Sequence, residues 1–514
     1  IRKLQMKPKS NKAKASEPTN TAQTGTFSDY IKFIKTDKQT LYIFLGFHLA
    51  FAIILRYCYP YPDLKTDTGG YINWIFQGFL HGGPRPLGYS YFIDYVNGIA
   101  SGTGAIFLAQ YLIYCLAIFF FYTSTVYVFQ INNTKLKYAY LALTLLFIPG
   151  LYTTNLLMSD NLFTSLTLIL ITLCLWLVHR PMVGLLVPII IFLVWIISIR
   201  YLGLAYPAFI IPIIFLAFRE KMVPIISSLV IVVVLYGYIQ KIKRGTEEDQ
   251  GVEIFSAFGG WQHANNALHV IPHIDLSTPA ISSTDRDLLF IDSVVRYSYP
   301  INAHLYPDEH STSYAFIWLD SLPLRMAFNY MMPRLNKGSY YGNWNEMGSK
   351  LQEYGSLLIK EHFPEYFRYY LVNNTIRTAH PPVEIFESFD NPNAAVINQW
   401  FNLPEGLNTM PRYDFLRPVL RNLSPVYTFY WLLFLASSVY FGVMAWRKKI
   451  GTSSTLFKLI LALWIFIIMY TAASIYGASV NLRFLLPLRP AIVVLAVVAA
   501  GHILQRNALK ESAE

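Results

Sequence analysis

Ten apolar runs, each close to the length that crosses a bilayer, dictate what this chain can fold into. A spanning helix needs about 20 consecutive apolar residues, with shorter ones tolerated near about 17. The runs lie at 40–57, 104–128, 138–152, 161–178, 182–199, 202–218, 222–240, 426–445, 455–475 and 484–503. The expected fold is therefore an all-α polytopic membrane protein of about ten transmembrane helices. Interfacial helices are expected in its first external loop, and a large external loop of mixed structure further on. The fifth and sixth runs are one apolar stretch interrupted by Arg200 and followed by Pro207, which predicts a tight hairpin at Arg200.

The composition agrees. Of 514 residues, 54% are hydrophobic and 14% charged, against about 25% charged in soluble domains. The net charge of +11 does not imply a nucleic-acid partner, because the basic residues form no face or arm interleaved with aromatics. They gather beside the apolar runs, where positive charge fixes orientation. The leading segment, Lys135 with Lys137, His179 with Arg180, Arg219 with Lys221, and Arg447 to Lys449 all become cytoplasmic if the N-terminus is cytoplasmic. The first run is then expected to act as an uncleaved signal anchor, with both termini cytoplasmic. No zinc-ligand or P-loop spacing is present, and Cys58, Cys115 and Cys174 are read as packed thiols.

This parity sets the expected organisation. Residues 1–38 form a basic, disordered cytoplasmic segment, and 39–240 an N-terminal transmembrane module whose first external loop spans 58–103. Residues 241–425 form a large non-cytoplasmic domain, and 426–514 the closing transmembrane helices with a short tail. The piece Gly69–Leu80 reads as an interfacial helix, and Leu358–Leu371 as an aromatic amphipathic helix on the membrane surface. The large domain carries His263, His269, His273, His304 and His310 without a metal-ligand spacing, since Pro272 interrupts the one pair four apart.

Five charged residues then fall on one face of the membrane: Asp67, Arg85, Asp160, Arg200 and Arg483. Charge beside hydrocarbon is costly and marks functional sites. Asp67, in YPDLKTDTGGYINW, is either a helix N-cap or a general base; Asp63 is a weaker candidate for the same work. Asp160, in NLLMSDNLF, is either a cap or a second acidic group of the site. Together, Asp67 and Asp160 would be the ligands of a divalent cation (Mg or Mn) if the chemistry uses one. Arg85 stands between two prolines in HGGPRPLGYSYF, and Arg483 follows Asn481 in a short external turn. One such arginine is explained by a stem that snorkels to the interface. Three together suit an anionic phosphate, which the planar guanidinium fork binds.

These residues resemble a known group. Asp67 followed by Tyr71, the RPLGY stretch Arg85 to Tyr89, the Ser159–Asp160 pair opening a helix and the closing NLRFLLPLRP (Asn481 to Pro490) are similar to motifs of the C-type fold membrane glycosyltransferases. That group includes the protein O-mannosyltransferases and the lipid A aminoarabinose transferases. The likeness covers mainly the first 220 residues and the last span. This chain has Arg85-Pro86-Leu87 where the family has a double proline, and no Glu beside Asp67. The resemblance implies Asp67 as catalytic base, Arg85, Arg200 and Arg483 as donor-phosphate ligands, and Tyr71 and Tyr89 as supporting residues. It implies a polyprenyl-phosphate-sugar donor, a glycan, lipid or protein acceptor on the non-cytoplasmic side, and a bacterial inner (cell) membrane location. Two alternatives stay open: a lipid-linked glycan flippase or transporter, which should carry charge near the midplane, and a protein like the O-antigen ligases or polymerases.

Overall fold

The structure, a computed structural model, describes residues 26–306, 317, 319–389, 394–404 and 408–511. Residues 1–25 and His310 lie outside them. Among the described residues eight helices are long and apolar enough to cross a membrane, and two shorter apolar segments, Val183–Ile199 and Tyr201–Ala217, complete the set of ten. The protein is an all-helical polytopic membrane protein.

Among the described residues twenty-two α-helices follow one another. The first eleven are α1 (Phe27–Thr36), α2 (Lys38–Cys58), α3 (Thr66–Phe76), α4 (Gly88–Ile99), α5 (Thr103–Val128), α6 (Thr134–Leu145), α7 (Ile148–Thr153), α8 (Ser159–His179), α9 (Leu186–Ile199), α10 (Pro207–Ala217) and α11 (Met222–Gln250). The large connection contributes α12 (Gly259–Ala267), α13 (Arg286–Asn302), α14 (Pro323–Leu335), α15 (Tyr340–Glu361), α16 (Phe363–Tyr366), α17 (Asn373–Ala379), α18 (Ala394–Phe401) and α19 (Arg417–Arg421). The chain closes with α20 (Ser424–Trp446), α21 (Thr455–Gly477) and α22 (Leu488–Glu511).

Three details depart from the sequence reading. Phe27–Thr36 is a helix inside the segment expected to be disordered, opened by a capping box between Thr26 and Asp29. The third span is broken after Leu145, and the separate α7 begins at Ile148 with Pro149 in its first turn, because proline cannot donate to the preceding turn. The large connection was expected to hold mixed structure; wherever it is described it is helical, with irregular connections. Its first ten residues continue α11, which runs on to Gln250.

Two cores form. One fills the membrane bundle around α8, whose side chains are almost all buried. The other fills the large domain, where Trp261 stacks on Trp344 with ring centroids 3.8 Å apart and both pack on Phe328. The hairpin at Arg200 forms as the sequence implies. Arg200 is extended at the end of α9, a 3-10 turn spans Tyr201–Ala205, and Pro207 opens α10.

Candidate active site

The sites of Asp67 and Asp160 are set by two helix starts that face one another. Each aspartate is the second residue of its helix, and neither caps it. The cap positions belong to Lys65 and Met158, with no side-chain capping bond at either. Their carboxylates lie in the first turn, where the helix dipole favours negative charge. The loop preceding α8 is fixed against the first loop by an isolated bridge, in which Asp63 N–H donates to Asn155 O at 2.8 Å and Leu157 N–H to Asp63 O at 3.2 Å. Thr68 adds a hydroxyl bond to Leu157 O at 2.9 Å. Tyr71, one turn along α3, donates its hydroxyl to Ser159 Oγ at 3.0 Å.

Arg85 reaches this point because its loop is clasped on three sides. Gly82 is left-handed, with φ 88°, and a Cβ there would come 2.6 Å from Asn345 Nδ2 of α15. A Cβ on Gly83 would penetrate the Trp74 ring at 2.0 Å. Asp249 of α11 accepts from His81 Nδ1 at 2.9 Å and from its backbone N–H at 2.7 Å. Beyond this clasp Arg85 lies across Gly70, over the Tyr71 ring at 5.6 Å, and donates from Nη2 to Asp67 Oδ1.

Arg200 makes the equivalent bond to Asp160 Oδ1 and is flanked by the Phe163 and Phe484 rings at 5.5 and 5.1 Å. Arg483 joins the two pairs. Its Nη1 is 3.6 Å from Asp67 Oδ2 and 3.9 Å from Asp160 Oδ2. Five residues from four separate parts of the chain thus form one chain of charge, Arg85–Asp67–Arg483–Asp160–Arg200. Asp160 is 1% exposed, whereas Asp67 and the three arginines keep 21–24% of their side-chain surface open. Burial alone would raise the Asp67 carboxyl, but Arg85, Arg483 and Arg200 outweigh it and hold it below the usual range.

Not every expected residue belongs to this group. Asp63 is fully buried and accepts from Tyr152 Oη at 3.0 Å beside Lys65 Nζ at 3.2 Å, so it holds the first loop to α7. Tyr89 donates to Gln110 Oε1 at 2.6 Å, and Gln110 Nε2 in turn holds Thr154 O and Leu156 O, each at 3.0 Å. Both residues shape the site without touching its charges. Nor do the carboxylates fit a shared metal. Both oxygens of Asp67 and one of Asp160 already face guanidinium groups within 3.6 Å, and Arg483 stands where a bridging cation would sit. Among the described residues no cluster of three or more His, Cys, Asp or Glu side chains could hold a metal.

Two residues escaped the sequence reading. Gln110 is a lone amide within an apolar run, a signal that was present. Glu384 had none. It pairs with Arg377 at 3.5 Å, and burial pushes its carboxyl up while Arg483 draws it back down. The Leu482 N–H donates to Pro382 O at 2.9 Å, which brings the Glu384 segment against the Arg483 turn.

Comparison with known proteins gives one structural neighbour to report. The chain is similar to ArnT from Cupriavidus metallidurans, in a crystal structure with undecaprenyl phosphate bound. The TM-score is 0.32 and the identity 11%, over 91% of this chain and 78% of that one. No family model matches, and no curated protein matches.

Proposed function

We propose that this chain is a membrane glycosyltransferase that moves a sugar from a polyprenyl-phosphate donor to an acceptor hydroxyl on the non-cytoplasmic face. The observation that carries the reading is the bridge of Arg483 between Asp67 and Asp160, with Arg85 and Arg200 at its ends. Three guanidinium groups outnumber two carboxylates beside hydrocarbon, and the surplus is one positive charge. An anionic phosphate on a lipid is the partner that such a set favours.

The arrangement supports a specific course. In the resting pairing Asp67 is a weak base, because its charge is stabilised by arginines. A phosphate entering between Arg483 and Arg85 competes with the carboxylate for the same N–H groups. As those bonds pass to phosphate, Asp67 becomes more basic and takes the proton of the acceptor hydroxyl. The acceptor oxygen forms its bond to the anomeric carbon while the bond from that carbon to the phosphate oxygen breaks. The bonding pair leaves with the phosphate, whose growing charge the guanidinium groups stabilise. The displacement is single and inverts the anomeric centre. Asp160 stays buried and holds Arg200 and Arg483 in place. No step runs through a metal ion.

The test is sugar transfer in reconstituted vesicles from a short-chain prenyl-phosphate sugar, comparing parent protein with Asp67→Asn. Loss of transfer with donor binding retained supports the reading. Transfer equal to the parent's in a folded Asp67→Asn protein would remove the base from it.

A further inference from the structure

The large domain carries an apolar stripe that its own core does not use. From α16 through the π-helical turn Phe367–Val372 into α17, Phe363, Phe367, Val372 and Ile376 are 53%, 52%, 38% and 63% exposed. Their spacing is four, five and four residues. In a plain α-helix the step of five would swing the stripe off its face. The wider π turn takes up the additional residue, so the four side chains stay on one side. Tyr366 and Tyr370 point the other way, stacked at 5.1 Å and buried in the domain core.

The height of this helix relative to the membrane bundle is fixed by hydrogen bonds. Asn374 Nδ2 donates to Ile475 O at 2.7 Å and Ala478 O at 2.8 Å, at the end of α21. In the opening turns of α20, Thr428 Oγ1 donates to Ala379 O at 2.8 Å and Trp431 Nε1 to Thr378 O at 2.6 Å. So α17 meets two spanning helices in their terminal turns, at the level where hydrocarbon gives way to headgroups. On those two helices Phe429, Leu432 and Tyr476 are 55–58% exposed. Arg368 is exposed on the same run and Lys360 in the last turn of α15 just before it, as suits a helix lying among lipid headgroups.

We propose that Phe363, Phe367, Val372 and Ile376 are seated in the bilayer, in the leaflet on the side of the Asp67–Arg483 cluster. The occupant of this face is lipid: acyl chains against the apolar stripe, headgroup phosphates beside Lys360 and Arg368. The anchor is also tied to the site. Asn374 Oδ1 accepts from Val480 N–H at 2.7 Å, and Arg377 Nε donates to Val480 O at 3.2 Å, three residues before Arg483. A helix held by the membrane surface therefore braces the turn that carries Arg483. The proposal concerns the bilayer alone and stands apart from the reaction assigned above.

Full-length protein carrying Phe367→Cys or Ile376→Cys is labelled with an environment-sensitive fluorophore and reconstituted in phosphatidylcholine–phosphatidylglycerol vesicles with brominated acyl chains. Thr284→Cys, exposed elsewhere on the same domain, is the control. Quenching several-fold stronger at 367 and 376 than at 284 is the expected result. Quenching at both positions no greater than at 284 overturns the proposal. So does a blue-shifted, shielded probe in lipid-free detergent that brominated lipid leaves unchanged, since that face would then belong to a second copy or another protein. If Phe367→Cys does not fold, Ile376→Cys alone decides.

Discussion

Arg483 Nη1 stands 3.6 Å from Asp67 Oδ2, although 416 positions of sequence separate the two residues and they belong to opposite ends of the chain. The contact closes the first external loop against the last membrane turn. It also means that the carboxylate best placed to act as a base is, at rest, neutralised from both ends of the protein. Asp67 carries no capping bond, so Asn in its place removes the carboxylate without uncapping α3.

Asp67→Asn should therefore lower sugar transfer by roughly 100-fold or more, because an amide accepts no proton. Donor binding should survive, since the three arginines remain. Transfer and donor binding measured at matched amounts of folded protein distinguish the two effects.

Arg200→Lys and Arg483→Lys keep the charge and lose the fork. A charged hydrogen bond contributes about 1.5–3 kcal/mol, so each variant should need at least about tenfold more donor for half-saturation. Donor saturation curves identical to the parent's in both variants would exclude these arginines from donor binding.

The pH dependence has a definite sign. A carboxylate whose folded pKa is depressed stabilises the fold above its unfolded value, and that contribution is lost as pH falls through the folded value. Asp67 is depressed by Arg85, Arg483 and Arg200 against the opposing effect of burial. Its acid transition, followed as loss of transfer at limiting donor and acceptor, is expected below about pH 4. Arg85→Gln should move that transition to higher pH; no movement would show that this ion pair does not set it.

Chelation offers an independent check. With Arg483 between the carboxylates, transfer should be unchanged after divalent cations are removed with excess EDTA. Loss of transfer restored by added Mg or Mn would return Asp67 and Asp160 to the role of metal ligands.

Tyr71→Phe removes the 3.0 Å bond to Ser159 that ties α3 to α8. A loss of about 0.5–1.5 kcal/mol is expected, seen as a lower thermal midpoint. Transfer should fall far less than in Asp67→Asn, because the ring beneath Arg85 is kept. A deficit equal to that of Asp67→Asn would give the Tyr71 hydroxyl a direct part in the chemistry.

The sequence by itself determined the apolar segments and their parity. Ten runs of near-spanning length return the chain to the same face each second time, so Asp67, Arg85, Asp160, Arg200 and Arg483 were bound to share that face. Hydropathy is a local property, and bilayer thickness turns it into topology without long-range information. The tertiary structure decided the rest. Which arginine meets which carboxylate depends on the Gly82–Gly83 clasp, the bridge between Asp63 and Leu156, and the turn before α22, all contacts between distant segments. Those contacts took Asp63 and Tyr89 out of the charged group, gave the place of a shared cation to Arg483, and brought Glu384 in from a segment with no signal of its own. Side-chain pairing within a few ångströms is set by packing, and packing is not periodic in the sequence.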